Sequence, residues 1–341
     1  MVIALVACST DATAPPDPDD PASITFVETV VDLFVAETYA IHPLVRNAAG
    51  VPVEATVTWT SSDASVAVVA ADGRVTGAGA GDAEIRAEVA AVSAIVAVRV
   101  TEPLGLRLPL EGQVGLDYYM NHYVAHLDSG GDAVDFGCGM KAPEGHTGTD
   151  FALADFEAMR SEIVVRAAAP GTVTEVHDGE PNFSIHIDPG TPPNRVVVDH
   201  GEGRRTVYEN LREQTIQVEE GQSVDAGAPL GLVGSSGGSW IPHLHFEVRL
   251  HERVIDPYSG PCASSVGQWA VPMEYEDGFE VLRARVSDYQ LQTAPHLAVD
   301  VPAAADTIVA GRNLVAWVQE LNAEVLSRSR IRVTVDTAVG R

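Results

Sequence analysis

Apolar and polar residues alternate in short runs through much of the chain. Between 22 and 102 the runs are ITFVETVVDLFV, ATVTWTSS, VAVVAADGRVTG, AEIRAEVA and AIVAVRVT, with turn residues between them at regular intervals. Period-two alternation with that punctuation predicts the short strands of a β-sandwich. Residues 103–117, with leucine and proline, read as a linker. Residues 118–263 form a second unit rich in glycine and valine. Its one helix candidate is LADFEAMRSE, 153–162, where alanine, glutamate and methionine suit a short helix. Residues 264–341 carry strand-like runs, FEVLRARV and RIRVTVDTAV, and read as a smaller β-module that offers no chemistry. The pattern leaves NLVAWVQELNAEV open between helix and strand.

The run IPHLHFEV, 241–248, also reads as a strand. Alternate residues of a strand share a face, so His243 and His245 project from one surface. The remaining histidines are mostly bland. His42 and His296 are isolated, His177 and His186 alternate with apolar residues, and His251 follows a strand end among charges. His146 differs, because it stands in EGHTGTDF with Asp150 four residues on. The glycines there predict a tight turn into a strand rather than a helix. Such a turn aims an imidazole and a carboxylate at one point. With one histidine of the HLH pair, three ligands converge. Two histidines and one carboxylate, with a fourth position left to water, make a catalytic zinc set. The other histidine of the pair is then placed to shuttle protons. HxxxD alone or HxH alone is a weak signal, and a hydrogen-bonded pair lining a turn or strand explains either. Both in one unit, about 100 residues apart, are a strong one.

Composition narrows the classes. Of 341 residues 45% are hydrophobic, which excludes wholesale disorder. The formal charge of −27 repels phosphate backbones, so nucleic acid is excluded as a partner. It also disfavours docking on anionic lipid through basic patches. No apolar run reaches 18 residues, the minimum for a membrane-spanning helix. The N-terminal MVIALVACST ends its apolar run in Leu5-Val6-Ala7-Cys8, which resembles a bacterial lipobox with Cys8 as the lipidated residue. A full signal has a basic segment and a longer apolar core, and this run has neither. STDATAPPDPDDPAS then follows as a polar tether. Residues 1–21 are therefore read as a lipoprotein-like signal remnant and tether, with a lipid anchor as the sole membrane contact. An ordinary cysteine in a floppy terminus is the alternative. In an exported protein Cys138 and Cys262 read as one disulfide, against two buried thiols.

Two resemblances add to this reading. TWTSSDASVAVVAADGRVTGAGAGDAEIRA closely resembles the group 2 bacterial Ig-like domain, which implies Trp59 as a core aromatic, DGRVTG as a hairpin and a spacer or adhesion role for 22–102. From about Tyr118 to Trp269 the chain resembles the lysostaphin-type zinc metalloendopeptidases, which cut peptide cross-links in bacterial cell walls. The match runs through GHTGTDF, VRAAAPGTVTEVHDG, VVVDHGEGRRTVYENL, VEEGQSVDAGAPLGLVGSSG, PHLHFEVR and IDPYSGPC. The implied fold class is all-β: an Ig-like sandwich, a mostly antiparallel sheet or half-barrel peptidase domain, and the small C-terminal module. The implied ligands for Zn2+ are His146, Asp150 and His245, with His243 as acid/base. The implied substrate is a peptidoglycan peptide, bound in a groove over the sheet with GSSGGSWIP as one wall and Trp240 near its rim. The implied location is the cell envelope.

One position departs from the family. YENL puts Asn210 where a second catalytic histidine is expected. An amide donates a hydrogen bond but neither takes nor gives a proton at neutral pH. Losing one general acid/base costs roughly 100- to 10,000-fold. His200, in DHGEG, is a substitute base or a structural residue. Two readings stand: an active endopeptidase, or a catalytically impaired wall-binding or regulatory relative. A third, a biotinyl or lipoyl carrier, is suggested by VEEGQSVDAGAPLG, but the sole lysine, Lys141, lies outside that segment.

Overall fold

A computed structural model describes residues 20–115, 117–182, 191–239, 241–263, 266–273 and 275, and the strands Val281–Ser287 and Asn313–Val318. Cys8, His186, His296, Trp240 and RIRVTVDTAV lie outside the described residues. The chain forms two compact units, Met1–Glu102 and Pro103–Arg341.

The N-terminal unit is all β. A four-stranded sheet runs Val30–Phe34, Val92–Thr101, Gly81–Val89, Thr58–Ser61, and a three-stranded one runs Thr38–Ala40, Arg74–Gly77, Ala67–Val69. Alternation decides the faces. Ala83, Ile85, Ala87 and Val89 are buried while Glu84 and Glu88 are exposed. Val31, Leu33, Ile41, Val75, Ile85, Val96 and Val98 make the core, and Trp59 packs against it while staying partly exposed. The DGRVTG hairpin turns at Gly73, with φ +83°; a Cβ there would meet the Trp59 ring and the Ile41 carbonyl at 2.8 Å, so only glycine fits.

The C-terminal unit centres on an eight-stranded sheet. Its order is Tyr119–His122, Thr149–Ala152, His243–Leu250, Arg204–Glu209, Arg195–Asp199, Gly171–His177, Ser223–Val224, with Arg253–Ile255 paired beside His243–Leu250. Every pairing is antiparallel. One face of the long strand buries Leu244, Phe246, Val248 and Leu250. Beneath them lie Tyr208 and Trp269, whose rings sit 5.3 and 5.8 Å from that of Phe246. Among the described residues of 264–341, Val281–Ser287 pairs antiparallel with Asn313–Val318, so NLVAWV is strand.

Two expectations change. LADFEAMRSE forms one 3-10 turn, Ala158–Ser161, closed by Glu162 at φ 53°. The Leu153 N–H still donates to the Pro242 carbonyl, and the Asp155 carboxylate takes the Ala158 N–H, both at 2.8 Å. Sheet pairing holds one end of the segment, and the residues left are too few to nucleate a longer helix. The stretch expected as a linker is bonded into the C-terminal unit. Leu106 and Leu110 are buried, and the Leu106 N–H donates to the Gln268 carbonyl at 2.7 Å.

Cys138 and Cys262 form a disulfide with Cα atoms 5.3 Å apart and a sequence separation of 124. The loop it closes holds His146, Asp150, His243 and His245. A loop that long restricts the unfolded chain strongly, and removing such a bridge costs about 2–5 kcal/mol. Replacing both cysteines by alanine lowers the thermal midpoint of the C-terminal unit and leaves that of the N-terminal unit in place. Calorimetry on the whole chain reads both transitions, and an unmoved C-terminal transition would show the bridge to be dispensable.

Candidate metal centre

Strand register assembles the site. On Thr149–Ala152, Asp150 stands opposite His245 of one neighbour and His122 of the other. Ala152 stands opposite His243, and Glu209 opposite His245. Directly opposed residues have Cβ atoms about 4.5–5.5 Å apart. Side chains of His122, Asp150, His245 and Glu209 therefore form one row across four strands.

His146 reaches this row from the turn before the Asp150 strand. That turn passes close to the histidine strand at Gly148, where a Cβ would meet the Phe246 carbonyl at 2.6 Å and the His245 ring at 2.8 Å. The HTGTD spacing thus needs its glycine. Asp150, 6% exposed, becomes a hub. Its Oδ2 lies 3.1 Å from His146 Nε2 and 3.0 Å from His122 Nδ1. Its Oδ1 lies 2.8 Å from His245 Nδ1 and 3.7 Å from His243 Nε2.

The far nitrogens of the rings are tied down. His146 Nδ1 donates to the Tyr123 carbonyl at 2.7 Å, which leaves Nε2 toward Asp150. His245 Nε2 lies 3.3 Å from Glu247 Oε1, which leaves Nδ1 toward Asp150. Glu247 also accepts from Thr147 Oγ1 and Arg249 Nε. His243 Nδ1 donates to the Ile241 carbonyl at 2.9 Å and meets Ser239 Oγ at 3.0 Å, so its Nε2 lone pair faces the hub. Carbonyls and carboxylates behind ligating histidines are the usual way a metal site fixes tautomer and aim.

Electrostatics agree. Burial pushes the Asp150 carboxyl up, but the His243 charge and hydrogen bonds from His122, His146 and His245 hold it well below the carboxylate range. Burial pushes His245 down, yet Asp150 and Glu247 raise it to about 10. Burial dominates at His243 and lowers it, which suits a base. Burial raises Glu247, and bonds from His245, Arg249 and Thr147 overturn that, bringing it to about 2. Burial raises Glu209.

The donor set fits a divalent metal. Ligands about 2.0–2.2 Å from one tetrahedral ion stand roughly 3.3 Å from one another. His146 Nε2 and His245 Nδ1 meet Asp150 near that spacing. His122, His146 and Asp150 also present ligand atoms that all lie within 4.8 Å of one another.

His146, Asp150, His243 and His245 thus come together. Asn210 is not among the side chains touching Asp150: it ends its strand at φ 62°, 9% exposed, with its amide donating to the Ser236 carbonyl at 2.8 Å. His200 spends both ring nitrogens on the Pro170 carbonyl and Thr206 Oγ1, each at 2.8 Å, so it serves structure. Lys141 is 1% exposed, unlike a carrier lysine. Sequence reasoning passed over His122 and Glu247. Glu247 continues the His243, His245 alternation and was readable from it. The signal for His122 is long-range pairing, which YYMNHYVAH does not announce.

Comparison with known proteins locates these features. The model of Peptidase family M23 matches residues 144–257, and that of the Bacterial Ig-like domain (group 2) matches 22–99. The Murein hydrolase activator EnvC of Escherichia coli is 44% identical over 62 residues, 18% of this chain and 14% of EnvC. The DD-carboxypeptidase/endopeptidase Mpg of Neisseria meningitidis is 33% identical over 114 residues, 33% of this chain and 22% of Mpg. The chain therefore spans less than a quarter of either relative. The lysostaphin catalytic domain of Staphylococcus simulans aligns over 41% of this chain and 90% of its own, at 23% identity and TM-score 0.29. Since the HxxxD turn and the HxH strand both lie inside the matched span, residues 144–257 belong to the lysostaphin-type peptidase family M23, and residues 22–99 to the group 2 bacterial Ig-like domains.

Proposed function

We propose that the C-terminal unit is a zinc-dependent endopeptidase that hydrolyses peptide cross-links of bacterial peptidoglycan. The observation that carries this is the convergence of His146 Nε2 and His245 Nδ1 on Asp150 at 3.1 and 2.8 Å, each ring aimed from behind. Those three side chains would hold Zn2+. When bound, the ion supplies a water acidic enough to ionise near pH 7 and a Lewis acid for the scissile carbonyl. His243 stands beside them with its Nε2 lone pair facing inward, and takes and returns the proton there. Burial lowers its pKa against the pull of Asp150. The name of Mpg, an endopeptidase, agrees in class.

Location follows the same reading. The Cys138–Cys262 bridge suits an oxidising compartment, so the chain is exported to the cell envelope. There Cys8 provides the lipid anchor and the Ig-like domain acts as a spacer. Among the described residues no helix is long and apolar enough to cross a membrane.

One observation favours a second reading. Asn210 is locked to the Ser236 carbonyl and brings no titratable group. EnvC is named an activator of murein hydrolases. On that reading this chain is a catalytically impaired regulator that keeps its metal.

Digestion of purified peptidoglycan separates the two. On the first reading the whole chain holds about one zinc and releases peptide fragments. His243→Ala keeps the zinc and loses about 100-fold or more in rate. Wild type that is silent while Asn210→His cleaves selects the second reading. An empty site at saturating zinc sinks both.

Glu247→Gln tests the support behind His245. Loss of the carboxylate weakens zinc binding about 10- to 100-fold. Chelator competition measures it, and unchanged affinity would remove Glu247 from the site.

A further inference from the structure

His122 lies outside the span matched to the peptidase family, and the mechanism above does not use it. Yet it flanks Asp150 as His245 does, from the opposite side. Register puts His122 opposite Asp150 on one neighbouring strand and His245 opposite Asp150 on the other. His122 Nδ1 is 3.0 Å from Oδ2, the oxygen that His146 Nε2 approaches at 3.1 Å. The His122 and His146 rings lie 5.5 Å apart, and those of His146 and His245 lie 5.0 Å apart. Pairing slips between Met120 and His122. An irregularity of that kind re-aims a side chain near a site. The Asn121 side-chain nitrogen lies 3.2 Å from the same ring nitrogen and must turn away before that lone pair can bind a metal.

We propose that His122 is a fourth protein ligand for the metal ion, closing the centre as three imidazoles and one carboxylate in the resting chain. The proposal rests on the zinc reading of His146, Asp150 and His245. Its consequence is chemical. Sites with four protein ligands are closed, and catalytic ones keep a position for water. His122 takes that position and must leave before a substrate can be cut. It is built to leave. Its strand stands last in the order of the sheet, and its side chain is 31% exposed against 12% for His245. The gate and the ligand are one side chain.

X-ray absorption at the zinc edge of the whole chain counts imidazoles directly. We expect three in wild type and two in His122→Ala. In the cobalt-loaded protein, azide leaves the visible spectrum of wild type unmoved and shifts that of His122→Ala, because only the variant has an open position. Two imidazoles in wild type, or the same azide response in both proteins, overturns the proposal and leaves the zinc reading standing. Failure of both proteins to hold either metal overturns the proposal and the zinc reading together.

Discussion

The site depends on the register of a single strand. In His243–Leu250 the odd positions His243, His245, Glu247 and Arg249 face the polar side, and Leu244, Phe246, Val248 and Leu250 face the core. A slip by one residue would exchange the two sets. Burying a large apolar side chain is worth about 1.5–3 kcal/mol. Four of them together outweigh any one of the polar contacts, each worth about 1.5–3 kcal/mol when a charge is involved. Packing therefore fixes the register, and the polar row inherits its geometry. Asp150 holds its place for the same reason, because its strand is clamped between the His122 and His245 strands with Phe151 buried beneath.

That geometry is expensive without a cation. Asp150 and Glu247 are buried carboxylates, and a buried charge is tolerated only when paired. In the free protein the pairing comes from protons, which is why His245 is raised to about 10. A divalent ion held by His146, Asp150 and His245 would supply positive charge in their place, and its binding would release them. The arrangement is thus pre-organised for a cation by the fold. Thr147 and Arg249 hold Glu247, Glu247 holds His245, and the Tyr123 carbonyl holds His146.

Local pattern revealed what local pattern determines. HLH alternation places two imidazoles on one face, and HTGTD places an imidazole and a carboxylate on one turn. The DGRVTG hairpin came from the resemblance to the Ig-like domain, and the disulfide from cysteine parity in an exported chain. His122 was not legible, because its role arises from pairing with a strand 28 residues away and nothing near it marks a site. LADFEAMRSE misled because composition favours a helix where sheet pairing holds its first residue. Residues 103–117 misled because proline and leucine suit a linker, although Leu106 and Leu110 bury themselves. In each case tertiary pairing overrode a local preference.

Asn210 shows where chemistry and structure part. Its backbone sits at φ 62°, a region in which asparagine and histidine are both enriched among non-glycine residues. The backbone therefore does not choose between them. The side chain makes one hydrogen bond, donated to the Ser236 carbonyl. A ring N–H can donate that bond as an amide does, and the second ring nitrogen would then be free. What asparagine removes is that second nitrogen. On the proposed reading the difference at 210 is therefore chemical rather than structural, and proton transfer would fall to His243.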